Sequence, residues 1–150
     1  MRIKSFRGQI ADASQDTITL HTNNGSTGYR IVKFQIMPIA PGTAAGEHTV
    51  QIWKIEQSNI PTTTPNIDFN DNTLLGAAIV GNSTNITSSY NDGSIIFDGE
   101  IFNQDIYVTH IDANGTTGCN YYIELEQMSL ALDENTVATL KDIRNIKSNE

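Results

Sequence analysis

Apolar residues in this chain recur at every second position, in short runs closed by turn residues. In 17–22, Ile18 and Leu20 share a face. In 105–112, Ile106, Val108 and His110 oppose Tyr107, Thr109 and Ile111. In 119–132, Tyr121, Ile123 and Leu125 align. A period of two is the pleat of a β-strand, because successive side chains leave opposite faces. Between the runs stand Asn23-Asn24-Gly25, Pro41-Gly42, Gly81-Asn82-Ser83, Asn91-Asp92-Gly93 and Asn114-Gly115. Gly and Asn tolerate positive φ, and Pro presets φ for a turn. A turn signal every ~8–12 residues favours an all-β sandwich or barrel. The reading is about eight or nine antiparallel strands in a jelly-roll-like β-sandwich, two sheets of four. An immunoglobulin-like sandwich is the alternative, but its Cys–Trp–Cys pattern is missing.

The remaining runs fit less cleanly. Residues 3–10 alternate loosely around Ile3, Phe6 and Ile10. In 28–37, Val32, Phe34 and Ile36 are placed on one face. In 48–57, Val50 and Ile52 face one way and Trp53 and Ile55 the other, which predicts a bulge or burial on both faces. Strands are also expected over 74–80, 84–90 and 94–102, the last broken by Gly99. Residues 58–73 form a long polar connection, with Pro61, Thr62, Thr63, Thr64 and Pro65 followed by Asp68, Asn70, Asp71 and Asn72.

The C-terminal segment departs from period two. Asp133 suits a helix N-cap, and Val137, Leu140, Ile143 and Ile146 recur every third residue. Lys141, Arg144 and Lys147 suit the helix C-terminus. This predicts one amphipathic helix over 134–147, which packs on its own sandwich or docks on a neighbouring subunit. One domain is expected, with the sandwich over 1–132 and the helix and tail over 133–150.

Composition excludes more functions than it suggests. The chain has 150 residues, with Ile 20, Thr 17 and Asn 15, and only 17% are charged. A net charge of -8 disfavours nucleic acid, whose phosphates need a basic footprint. No run of ~18 apolar residues exists, so no membrane helix is expected. The basic residues of Met1–Arg7 lack a following apolar stretch, so they are not read as a secretory signal. A single Cys119 excludes an intramolecular disulfide.

No constellation reads as an active site. His21, His48 and His110 lie apart, in no HxH or HExxH pattern, and with one cysteine they make poor zinc material. Cys119 lacks a nucleophile signature. Asp68-x-Asn70-Asp71-Asn72 is oxygen-rich, but Thr73 and Ile79 stand where a calcium loop needs Gly and Glu. Glu124 and Glu126, with Asp98 and Glu100, are read as a solvated acidic face before a glycosidase pair. The sequons at Asn24, Asn82 and Asn85 are read as turn and edge chemistry. The expectation is no enzyme, with no catalytic, cofactor-binding or metal-binding residues and no cofactor.

Four stretches carry a resemblance. They are Gly28-Tyr-Arg-Ile-Val-Lys-Phe-Gln-Ile-Met-Pro38, Glu47-His-Thr-Val-Gln-Ile-Trp-Lys54, Asn120-Tyr-Tyr-Ile-Glu-Leu-Glu-Gln-Met128 and Ala138-Thr-Leu-Lys-Asp-Ile-Arg-Asn145. Together the chain resembles small virion structural proteins of marine tailed bacteriophages. The resemblance implies a capsid decoration (cement) protein on the virion, on the capsid surface before the tail. It implies the major capsid protein or other virion subunits as partners, a homo-oligomer, and contact with neither nucleic acid nor membrane. Partner-binding residues are then expected at Val137, Leu140, Ile143 and Ile146 of the helix and at Ile3 and Phe6 of the first strand. A receptor- or glycan-binding module, with a platform near Trp53 or in loop 58–73, is the alternative. A tail or neck component is another.

Overall fold

The computed structural model describes residues 2–20, 26–41, 46–61, 65–82, 91–97 and 100–130. They form eight antiparallel strands: β1 (Arg2–Ile10), β2 (Ser14–Ile18), β3 (Thr27–Pro38), β4 (Gly46–Trp53), β5 (Leu74–Asn82), β6 (Asn91–Ile96), β7 (Ile106–Asp112) and β8 (Cys119–Ser129). Two sheets result. One is three-stranded, in the order β1-β8-β3. The other is five-stranded, in the order β2-β7-β4-β5-β6. The protein is therefore all-β. The four-plus-four division expected from sequence gives way to three plus five, because β6 pairs with β5. No helix lies among the described residues. The helix expected over 134–147, the turn at 23–25, the strand at 84–90 and Gly99 all lie outside them.

The register shows how the core forms. Along β8, Cys119, Tyr121, Ile123 and Leu125 are buried and alternate with half-exposed residues. They pair with Ile10, Gly8, Phe6 and Lys4 of β1 on one side and with Pro38, Ile36, Phe34 and Ile31 of β3 on the other. That inner face meets Val50 and Ile52 of β4, Ala78 and Val80 of β5, and Ile106 and Val108 of β7. Ile10, Val50, Ile52, Ile106, Val108, Ile123 and Leu125 are wholly buried. Each such side chain contributes about 1.5–3 kcal/mol of burial.

Four local expectations are corrected. The β3 register shifts between Ile31 and Lys33, so Val32 is the bulged residue and turns outward, 39% exposed. Ile31 takes the core position beside Phe34, since one extra residue reverses the alternation. Asn91-Asp92-Gly93 is the start of β6 and not a turn. β6 ends at Ile96, and Phe102 forms only a single bridge with Tyr29. β4 ends at Trp53, earlier than expected, but shows both features its sequence offered. A register shift lies between Ile52 and Trp53, and every residue from His48 to Trp53 is buried.

The corner between β1 and β2 carries the chain from one sheet to the other. Ala13 sits there at φ 51°, a left-handed conformation unusual for a residue with a Cβ. The Ser14 hydroxyl donates to the Ala11 carbonyl at 2.6 Å and helps hold the corner.

Candidate functional site

Two features stand out: the edges of the three-stranded sheet and a polar cluster inside the sandwich. β1 and β3 each pair with β8 along one side. Among the described residues neither has a strand on its other side, apart from the bridge at Tyr29. Exposed apolar side chains gather on and beside these strands: Ile3 on β1, Val32 and Met37 on β3, and Ile39 just past it. On β1, Lys4 turns its ammonium toward the Tyr29 hydroxyl at 3.4 Å, between exposed Arg2 and Arg7.

The two sequence-expected partner residues of β1 separate. Ile3 is 46% exposed and available, whereas Phe6 packs against the core. The single-residue alternation of β1 puts them on opposite faces. Val137, Leu140, Ile143 and Ile146 lie outside the described residues.

The polar cluster is built by register. Pairing of β4 with β7 sets His48 opposite Asp112 and Val50 opposite His110. His48, Val50 and His110 alternate with residues of the other face, so both rings point inward. Cys119, at the start of β8, comes from the facing sheet. His48, His110, Asp112 and Cys119 are all buried. His48 Nδ1 lies 2.9 Å from His110 Nε2, and His110 Nδ1 lies 3.1 Å from the Ala11 carbonyl. A carbonyl only accepts, so His110 Nδ1 carries a proton, and with the ring neutral its Nε2 accepts from His48 Nδ1–H. Both rings are neutral in this arrangement.

The charges around them follow from burial. Loss of solvation holds His48 below the ordinary imidazole range, against the raising pull of Asp112. It does the same to His110, against the Ala11 hydrogen bond and the carboxylates of Asp12 and Asp112. Burial would raise Asp112, but the backbone N–H groups of Glu47, Asn114 and Thr117 donate to it and hold it below the usual carboxylate range. Burial pushes the Cys119 thiol up to about 11, which makes it a poor nucleophile.

A cavity of about 770 Å³ opens between the sheets, lined in part by Phe34, Ile36, Ala78, Asp92, Ser94 and Tyr121. The Tyr121 hydroxyl donates to Asp16 Oδ2 at 3.1 Å across the sandwich.

The other sequence candidates have structural duties. Asp68 accepts from Asn70 N–H, and Asp71 accepts from both the N–H and the hydroxyl of Thr73. Their carboxylates close turns. Glu124 accepts from the Tyr122 hydroxyl at 2.7 Å, and Glu126 pairs with Arg30 at 2.8 Å. Glu100 pairs with buried Lys54 at 2.7 Å. Trp53 is buried and donates from Nε1 to Thr109 Oγ1, so its ring is no sugar platform. Sequence reasoning misses the convergence of His48, His110 and Cys119. The alternation of His110 with Ile106 and Val108 is its one legible sign. No family model, curated protein or solved structure matches the chain.

Proposed function

We propose that this chain is a non-enzymatic structural subunit of a phage virion, a capsid decoration protein that binds the assembled shell. The observation that carries the reading is the pair of long strand edges flanking β8, nine residues on β1 and twelve on β3. An open edge is a template for a neighbour's strand, and main-chain hydrogen bonds supply the affinity. β3 is the stronger candidate, since Val32, Met37 and Ile39 add exposed apolar contacts there. Basic side chains stand on both edges, Arg2, Lys4 and Arg7 on β1 and Arg30 and Lys33 on β3, and discourage indiscriminate pairing.

The strand order supports the same reading. First pairs with last and second with seventh, as when a long hairpin is rolled into a jelly roll. Jelly rolls are frequent in viral capsid domains, and also in lectins. The negative net charge suits an outer surface away from packaged DNA. Repetition over a symmetric shell converts a weak edge contact into avidity, and binding to the shell alone stabilises it by mass action.

The inter-sheet cavity favours a second reading, a receptor- or glycan-binding module on the particle. The two are separated by co-sedimentation of the full chain with purified shells of its own phage. Decoration predicts saturable binding that Val32→Lys with Met37→Lys abolishes, while Asp92→Ala leaves it intact. Shell binding absent from the unaltered protein, together with glycan binding lost on Asp92→Ala, would replace the first reading with the second.

A further inference from the structure

His48, His110 and Cys119 come from three strands and both sheets, yet meet at one interior point. One donor atom of each lies within 4.8 Å of the donor atoms of the other two. Two imidazole nitrogens and a thiol sulfur are the donors that suit a borderline-soft cation. The ring orientation is also that of a ligand. The Ala11 carbonyl takes the Nδ1 proton of His110 and leaves the Nε2 lone pair facing His48. A backbone carbonyl holding the far nitrogen is the usual outer support of a metal-binding histidine. The β1–β2 corner at Ala13, with its left-handed backbone, lies just beyond that carbonyl.

We infer that His48, His110 and Cys119 form a buried site for one zinc-class cation. Two imidazoles and one thiolate occupy three positions, and a water occupies the fourth. Binding removes the Cys119 proton to solvent and moves the His48 proton from Nδ1 to Nε2, so one proton is released per metal. Bond lengths of ~2.0–2.1 Å to nitrogen and ~2.3 Å to sulfur place tetrahedral donors about 3.3–3.6 Å apart. The two histidine nitrogens, 2.9 Å apart, need to part by only a few tenths of an ångström. The cation and thiolate leave one positive charge, and the carboxylates of Asp12 and Asp112, which act on both rings, lie close enough to offset it. The bound cation ties β4 and β7 to β8 across the sandwich. This adds a cross-sheet staple to a chain that has no disulfide.

Cobalt is the probe, because a Co–thiolate bond announces itself by a sulfur-to-cobalt charge-transfer band. The full-length protein, reduced and stripped with a chelator, is titrated with Co²⁺ and then with Zn²⁺. One equivalent of Co²⁺ should develop that band with tetrahedral visible absorption, and Zn²⁺ should bleach both. Zn²⁺ should also raise the unfolding temperature. Cys119→Ser should abolish the charge-transfer band and weaken binding at least a hundredfold. His110→Gln should weaken it similarly, and His21→Gln should change nothing. Circular dichroism of each variant establishes that it is folded. A folded wild-type protein that develops no band overturns the inference, as does a band that survives in Cys119→Ser. Either result returns the cluster to a hydrogen-bonded histidine pair beside a buried thiol.

Discussion

The two sheets handle burial differently. The three-stranded sheet is two-sided: β8 alternates buried and half-exposed positions along nearly its whole length. Its outer face is a lattice of solvated pairs, with Arg30 on Glu126, Tyr122 on Glu124, and the Lys33 ammonium 6.0 Å from the Tyr122 ring centre. The five-stranded sheet is covered on both faces along its central strands. Thr49, Gln51, Trp53, Thr109 and Ile111 point away from the sandwich core yet are buried. The connection after β4 runs over part of that outer face. Gln51 donates to the Asn66 carbonyl, Lys54 N–H to the Thr73 carbonyl, and Gln57 N–H to the Gln15 side chain. The difference teaches that the described parts of the connection, 54–61 and 65–73, help cover the outer face, and that the polar outer residues of β4 and β7 are interior residues.

That contrast is open to direct test. The largest effect should come from Trp53→Ala, on the covered outer face. Loss of a buried indole and its bond to Thr109 should cost about 3–5 kcal/mol in denaturant unfolding, as a core aromatic does. A cost below ~1 kcal/mol would make that face an ordinary surface. Next, Glu100→Gln leaves the buried Lys54 ammonium without its counter-charge. A loss of about 1–3 kcal/mol is expected, read as a shift in the denaturation midpoint. Gly8→Ala should cost about 1–3 kcal/mol by thermal unfolding, because the added methyl would sit 2.7 Å from the Tyr121 hydroxyl. An unchanged midpoint would mean that the Tyr121 ring moves freely.

The Tyr121 hydroxyl gives a pH signature. Burial, and then Asp16, raises its pKa above the ordinary tyrosine value. The folded state thus keeps a proton that the unfolded chain releases above pH ~10. Its stabilisation is full below that pH and is lost as pH rises past it. Wild type should lose up to about 1.4 kcal/mol more than Tyr121→Phe for each pH unit above ~10. Parallel pH curves would contradict the buried Tyr121–Asp16 bond. The smallest effect belongs to the solvated face. Arg30→Ala should cost under about 1 kcal/mol and should fade further in high salt. A larger cost would show that the outer face of the three-stranded sheet is itself covered.

Legibility from sequence divides along the same line. Where one face is wet, alternation is a local signal: β7 is readable almost to the residue, and β8 from its start at Cys119, though it ends at Ser129 before the expected 132. Where both faces are dry, the pattern flattens, so His48–Trp53 permits two readings and the structure contains both. The bulge at Val32 is invisible in sequence, because a single inserted residue leaves the composition unchanged while reversing the face of every later residue in the strand. The acidic pair Glu124 and Glu126 is legible as a surface feature. The histidines can only be weighed one by one, since no local pattern joins position 48 to 110 or 119.

What the sequence determined alone is whatever acts over a few residues: strands of period two, turns at Pro41 and Asn114-Gly115, and an acidic chain with no disulfide. Tertiary structure decided the rest. It chose β5 over β3 as the partner of β6, laid 54–61 and 65–73 against the outer sheet face, and brought His48, His110 and Cys119 together. Those outcomes depend on register between strands up to about a hundred residues apart. Register is set by which long-range pairing buries the most apolar surface with every backbone group satisfied, a comparison that no short window of sequence contains.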